Sequence, residues 1–87
     1  MMQTYKRVLE IMRKDRERYW QHVGGKFSHE LPTFLIRQQY NAENDIHLSA
    51  QEMRFVMNEL VASGHVRKHS RSRIGQAHWQ LTDKEMQ

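Results

Sequence analysis

Apolar residues in the first quarter of the chain recur at intervals of three, four and seven positions, which is the spacing of one face of an α-helix. This apolar stripe consists of Tyr5, Val8, Leu9, Met12 and Tyr19. Charged residues occupy many of the positions around the stripe, and Gly24 and Gly25 follow it. Because glycine readily adopts the left-handed conformation that ends many helices, the pattern predicts a first helix from about 4 to 22.

A second, shorter helix is predicted from about 32 to 40. Its start is placed at Pro32, because proline is favoured in the first turn of a helix. Its predicted buried side consists of Leu31, Phe34 and Leu35. Residues 41–48 are largely polar and include asparagine and aspartate, which favour turns, so they are predicted to form a connection.

The third helix has both a start signal and a stop signal in the sequence. Ser49 and Glu52 match the capping box, in which each side chain accepts a hydrogen bond from the backbone N–H of the other residue. Gly64 is suited to the position just beyond a helix end. A third helix is therefore predicted from about 50 to 63. Its predicted buried stripe consists of Met53, Val56, Met57, Leu60 and Val61.

After Gly64 apolar and polar residues alternate with a period of two, which predicts a β-hairpin over about 65–82. Directly opposed residues share a face of a sheet, so Val66 must pair with Trp79 or with Leu81 for the apolar side chains to lie together. Both registers place basic and polar side chains on the outer face. They also predict that Trp79 packs against the helices.

Length and composition limit the class of protein. The chain has 87 residues, and one domain is predicted to span 1–87. It has no cysteine, which excludes disulfides and thiolate metal sites. Its apolar runs are far shorter than the roughly 20 residues of a membrane-spanning helix, and no signal-peptide pattern occurs. We therefore expect a cytoplasmic protein that does not associate with a membrane.

The net charge of +4 is unevenly distributed along the chain. Residues 60–75 contain four basic residues and no acidic residue, whereas residues 41–59 contain four acidic residues and one basic residue. A charge run by itself is often only a solvated surface. Because this basic run coincides with a predicted hairpin, it favours a polyanionic partner.

Three helices followed by a basic hairpin resemble the winged helix-turn-helix domain of DNA-binding proteins. The stretch from Leu48 to Arg67 is similar to the recognition helix of that family where it continues into the first wing strand. The residues Trp79-Gln80-Leu81-Thr82 resemble the return strand. The likeness covers about residues 27–82 and implies a mainly α fold with a small β-hairpin, a three-helix winged-helix domain.

The resemblance also implies that the third helix lies in the major groove of double-stranded DNA while the wing contacts phosphates. The helix residues implied as DNA-binding are Gln51, Arg54, Phe55 and Asn58. The wing residues implied as DNA-binding are Arg67, Lys68, His69, Arg71 and Arg73. Glutamine and asparagine suit adenine and arginine suits guanine, whereas basic wing side chains suit phosphate contacts that carry no sequence information.

Two features of this chain depart from the family pattern. The turn of a typical helix-turn-helix motif has three or four residues, whereas the connection predicted here, 41–48, has about eight. The segment 41–59, which includes most of the third helix, is acidic and would oppose a close approach to phosphate.

The residues that could take part in catalysis or bind a metal form no catalytic or metal-binding pattern in the sequence. His65 and His69 are four residues apart, but on a strand they would stand about 13 Å apart, too far to share one ion. No serine has a recognisable base and orienting group, and no glycine-rich loop follows a strand. We therefore expect no enzymatic activity, no metal and no cofactor.

These features favour a small, sequence-specific double-stranded DNA-binding protein of a bacterium or phage that regulates transcription. The alternative is a winged-helix adaptor that binds another protein and not DNA, because winged helices serve both uses. RNA binding is a third hypothesis. Tyr19 and Trp20 end the first helix and suit either core packing or contact with a homodimer or protein partner.

Overall fold

The computed structural model describes residues 2–69 and 77–82, which form three α-helices and a small antiparallel sheet. The helices are α1 (Met2–Val23), α2 (Thr33–Asn44) and α3 (Ala50–Ala62). The strands are β1 (Leu31–Pro32), β2 (Val66–Lys68) and β3 (His78–Leu81). This confirms the expected mainly α fold with a small β-hairpin and is compatible with a winged-helix-like arrangement. In the described part of the chain, no helix is both long enough and apolar enough to span a membrane.

Local signals at both ends of α3 act as the sequence predicts. Ser49 and Glu52 form both hydrogen bonds of the capping box. At the other end, the N–H of Gly64 bonds the carbonyl of Val61, and the N–H of His65 bonds that of Leu60. This pair of bonds is the Schellman motif, which requires the left-handed backbone that Gly64 adopts with φ of 86°.

The predicted end of α2 is wrong, because the helix continues beyond Tyr40 to Asn44. Asp45 then ends it in the left-handed conformation, which aspartate tolerates better than most residues. Its beginning also differs from the prediction, since Pro32 lies in β1 and caps α2 from outside the helix. The connection to α3 therefore comprises only residues 45–49, five residues in place of the predicted eight.

The buried face of α2 also differs from the prediction. Ile36 and Tyr40, four positions apart, face the core, whereas Phe34 and Leu35 are 60% and 41% exposed. Because successive helical residues are rotated by about 100°, burial of Ile36 turns Phe34 to nearly the opposite side of the helix. Val61 of α3 is a smaller error of the same kind, since it lies at the edge of the buried stripe and is 38% exposed.

The sheet has the strand order β1-β3-β2, and the hairpin register is one of the two that were predicted. Val66 pairs with Leu81, and Lys68 pairs with Trp79. The strand β1, which was not predicted, pairs Leu31 with Trp79 on the other side of β3. The hairpin loop predicted at 71–75 lies outside the described residues.

The core lies between the inner face of the sheet and the three helices. Its buried apolar residues are Val8, Leu9, Ile11, Met12, Leu31, Ile36, Tyr40, Met53, Val56, Met57, Leu60, Val66, Trp79 and Leu81. Trp79 is only 2% exposed, which confirms its predicted packing against the helices. Its indole N–H donates to the hydroxyl of Thr33, and this hydroxyl in turn donates to the carbonyl of Ala77. The hairpin is thus joined to the start of α2 as well as to the core.

Candidate nucleic-acid interface

The outer face of α3 contains all four helix residues that the sequence suggested for base contacts. Gln51, Arg54, Phe55 and Asn58 are exposed. They lie opposite the core-facing side chains of the same helix, because burial of Met53, Val56, Met57 and Leu60 fixes its rotation. The arrangement presents two amides, a guanidinium and a phenyl ring on one accessible helical surface.

The two carboxylates of α3 lie on one flank of the helix. At about 100° of rotation per residue, Glu52 and Glu59 are roughly a quarter turn away from Gln51 and Asn58. Glu52 is engaged in the capping box through a 3.0 Å hydrogen bond from the N–H of Ser49. Glu59 lines a cleft between α3 and α1 together with the cations Lys6 and Arg13. The carboxylates of α3 therefore border its outer face on one side, where Glu59 is about 40° around the helix from Phe55.

Side chains of α2 hold the short connection that leads into α3. The amide of Asn41 donates to the carbonyl of Leu48 at 3.1 Å and accepts from its N–H at 3.0 Å. The guanidinium of Arg37 donates to the same carbonyl at 2.7 Å. Because these bonds act on the residue just before the helix cap, they fix where α3 begins relative to α2.

The described part of the wing presents two of the predicted basic residues. Arg67 and Lys68 are exposed on β2, and the Nε–H of Arg67 donates to Oε1 of Gln80 on β3. Arg71 and Arg73, also predicted to contact DNA, lie outside the described residues. Since β2 follows α3 after only three residues, the first wing cations lie close to the end of that helix.

His69 was expected on the DNA-facing side of the wing, but its ring is engaged within the protein. Its Nδ1 lies 2.5 Å from Oε2 of Glu30, and Nδ1 of His78 lies 3.5 Å from the other oxygen of the same carboxylate. The N–H of His69 also donates to the carbonyl of His78 across the two strands. Glu30 thus joins both strands at the base of the wing, a role that no spacing in the sequence suggested.

His29, the residue before Glu30, makes a similar connection to α1. It is buried, and its Nε2 lies 2.6 Å from Oδ2 of Asp15. The ring of Tyr19 lies 5.6 Å from the imidazole, between centroids. Histidine and carboxylate groups come close together here, yet within residues 2–69 and 77–82 no three of them are placed to hold a metal ion.

A group of cations and aromatic rings lies at the C-terminal end of α1. The guanidinium of Arg16 lies 4.7 Å, and the ammonium of Lys26 5.8 Å, from the centroid of the Trp20 ring. The indole N–H of Trp20 donates to the carbonyl of Phe27 at 2.8 Å. Trp20 therefore acts neither as core nor as an open aromatic surface, because it holds the segment after α1 against the helix.

Comparison with protein-family models, with curated protein sequences and with solved structures gives no significant match.

Proposed function

We propose that this chain is a winged-helix domain that binds double-stranded DNA in a sequence-dependent way and acts as a transcriptional regulator in the cytoplasm of a bacterium or in a phage-infected cell. The observation that carries the proposal is the outer face of α3. Gln51, Arg54 and Asn58 are exposed there together, and the two carboxylates of the helix, Glu52 and Glu59, lie on one flank of this face.

The chemistry of this face suits the edges of base pairs in the major groove. Amide side chains can bond adenine through two hydrogen bonds, and a guanidinium can bond guanine in the same way. Phe55, which is 52% exposed, offers an apolar contact for a thymine methyl group.

The short connection and the wing support the same conclusion. With five residues between α2 and α3, the pair approaches the three- or four-residue turn of helix-turn-helix motifs, and Asn41 fixes its geometry. Arg67 and Lys68 extend positive charge from the end of α3 onto the sheet. Basic side chains beside a reading helix would contact phosphates and set its register on the duplex.

The proposal is tested by selecting a preferred site from random duplexes and titrating it against a scrambled duplex. Arg54→Ala and Asn58→Ala should each reduce the preference for the selected site by about 1–3 kcal/mol, because a bidentate base contact is lost. The double variant Arg71→Ala, Arg73→Ala should weaken binding to both duplexes alike, because phosphate contacts do not distinguish sequences.

Thermal unfolding of each variant controls for loss of structure, and Arg54 and Asn58 are exposed, so the fold should persist. If the helix variants bind both duplexes like the wild type while the wing variants lose all binding, α3 is not the reading element. If selection from random duplexes yields no preferred site, sequence-dependent binding is disproved.

One observation favours the second function, a protein-binding adaptor. Phe34 and Leu35 are consecutive residues of α2 and are 60% and 41% exposed, so they offer apolar surface to a protein partner. The double variant Phe34→Ser, Leu35→Ser separates the two functions. DNA binding should remain intact if α3 and the wing are responsible for it.

A further inference from the structure

We infer that Lys26, held in place by Trp20, forms an additional contact with the phosphate backbone of duplex DNA, on the far side of the wing from α3. This inference rests on the proposed function and adds a third contact region to the helix and the wing. It assigns a binding role to the segment between α1 and β1.

A polar track on the outer face of the sheet connects this segment with the wing. Arg67 on β2 donates to Gln80 on β3, and the amide of Gln80 donates to the hydroxyl of Ser28 at 3.0 Å. Lys26 is exposed two residues before Ser28. Since adjacent strands lie about 4.8 Å apart, the track places Lys26 on the order of 10–16 Å from Arg67. A duplex that continued past the wing by about five base pairs, at 3.4 Å each, would reach it.

The segment that carries Lys26 has a defined position against α1. The indole of Trp20 bonds the carbonyl of Phe27, and the ammonium of Lys26 lies over the indole ring at 5.8 Å. Gly25 permits this close return, because a Cβ there would come within 3.0 Å of the Phe27 ring. A lysine held over an aromatic ring gives up less side-chain freedom when it binds than a freely rotating one.

Two carboxylates near this segment, Asp15 and Glu30, lie close to cations or histidines. Asp15 lies 2.6 Å from His29 and 3.8 Å from a nitrogen of Arg18, and Glu30 lies 2.5 Å from His69. A paired carboxylate opposes a phosphate less strongly than an isolated one, so Asp15 and Glu30 repel a polyanion near Lys26 only weakly.

The experiment measures binding of the full chain to a fluorescent duplex of about 24 base pairs at several salt concentrations. Lys26→Gln should lower the steepness of the log–log salt dependence by about 0.9 and weaken binding about threefold at low salt, as expected for one lost phosphate contact. Lys26→Arg should restore both the affinity and the salt dependence of the wild type. Lys14→Gln is the matched control, because Lys14 is also exposed but lies about 160° around α1 from Arg16.

The variant Trp20→Leu tests whether Trp20 positions Lys26 or whether the charge of Lys26 alone attracts the DNA. It should reproduce the effect of Lys26→Gln, and the double variant should be no weaker than Lys26→Gln alone, because Trp20 acts through the lysine. In a ¹⁵N-labelled protein, the indole N–H signal of Trp20 should shift on addition of the duplex. The buried indole of Trp79 provides the internal reference.

If Lys26→Gln and Lys14→Gln change affinity and salt dependence equally, the inference about Lys26 is overturned while the proposed function stands. If Trp20→Leu weakens binding by the same factor with and without Lys26, the positioning role is overturned. If the wild-type chain does not bind the duplex at low salt, the proposed function and this inference fail together.

Discussion

The carboxylate of Glu30 lies between two histidines on opposite strands of the wing. Its oxygens lie 2.5 Å from Nδ1 of His69 and 3.5 Å from Nδ1 of His78. A carboxylate oxygen accepts hydrogen bonds, so an N–H at Nδ1 of His69 would donate to Glu30 at this distance. Nδ1 of His69 is therefore directed toward Glu30, and the side chain is 15% exposed.

We expect Glu30→Gln to destabilise the domain by about 1–2 kcal/mol, because the largely buried group beside His69 and His78 loses its charge. Urea unfolding measures the loss, and amide hydrogen exchange at His69, which bonds His78 across the strands, should accelerate. The exposed Glu10→Gln makes the same charge change with an expected effect below about 0.5 kcal/mol. Equal effects of the two substitutions would show that Glu30 does not hold the wing.

Residues whose roles depend on distant partners were the ones that the sequence could not assign. His29 and Glu30 look like an ordinary polar pair before a proline, and nothing in their spacing connects them to Asp15 or His69. These contacts arise only when β1 joins the sheet beside β3. By contrast, Trp79 was predicted correctly as core, because strand alternation alone determines which face it occupies.

At the scale of the elements, boundaries with local causes were predicted and those with tertiary causes were not. The capping box at Ser49 and the glycine turn at Gly64 involve residues within a few positions, so their signals are contained in the sequence. The strand β1 has two residues, too few for a periodic pattern. The last turn of α2 looked like a loop because asparagine favours turns, yet Asn41 uses its amide to bond Leu48.

The connection between α2 and α3 should depend on this amide. Asn41→Ala removes a donor and an acceptor from the backbone of Leu48, and we expect a loss of about 1–2 kcal/mol in the free energy of unfolding. We also expect a weaker preference for the selected DNA site, because α3 is then held less firmly against α2.

Asn58→Ala is the matched control for stability, since Asn58 is exposed on α3 and its removal should change the free energy of unfolding by less than about 0.5 kcal/mol. An unfolding midpoint for Asn41→Ala that equals the wild-type value would mean that Arg37 alone holds the connection through its 2.7 Å bond to Leu48.

At the scale of the whole molecule, two of the four acidic residues of the segment 41–59 line clefts with α1. Glu59 shares a cleft with Lys6 and Arg13, and Glu43 lines another with Lys14 and Arg18. The positive charge of α1 is therefore partly balanced by the helices packed on it. Residues 60–75 contain four basic residues and no carboxylate, and Glu30 at the base of the wing lies against His69 and His78. The wing, rather than α1, should then dominate the response of binding to salt.

We expect the wing to contribute roughly −3 to −4 to the log–log salt slope of duplex binding, because about four wing cations would each release counterions from one phosphate. Removing Arg71 and Arg73 together should flatten this slope by about two, whereas removing Lys6 and Arg13, which face Glu59 across a cleft, should change it little. Fluorescence anisotropy with one duplex at several salt concentrations measures all three slopes.

A slope near zero for the wild type would favour the protein-binding adaptor, since the apolar surface at Phe34 and Leu35 needs no counterion release. A steep slope that depends equally on both cation pairs would instead mean that α1 lies on the duplex beside the wing.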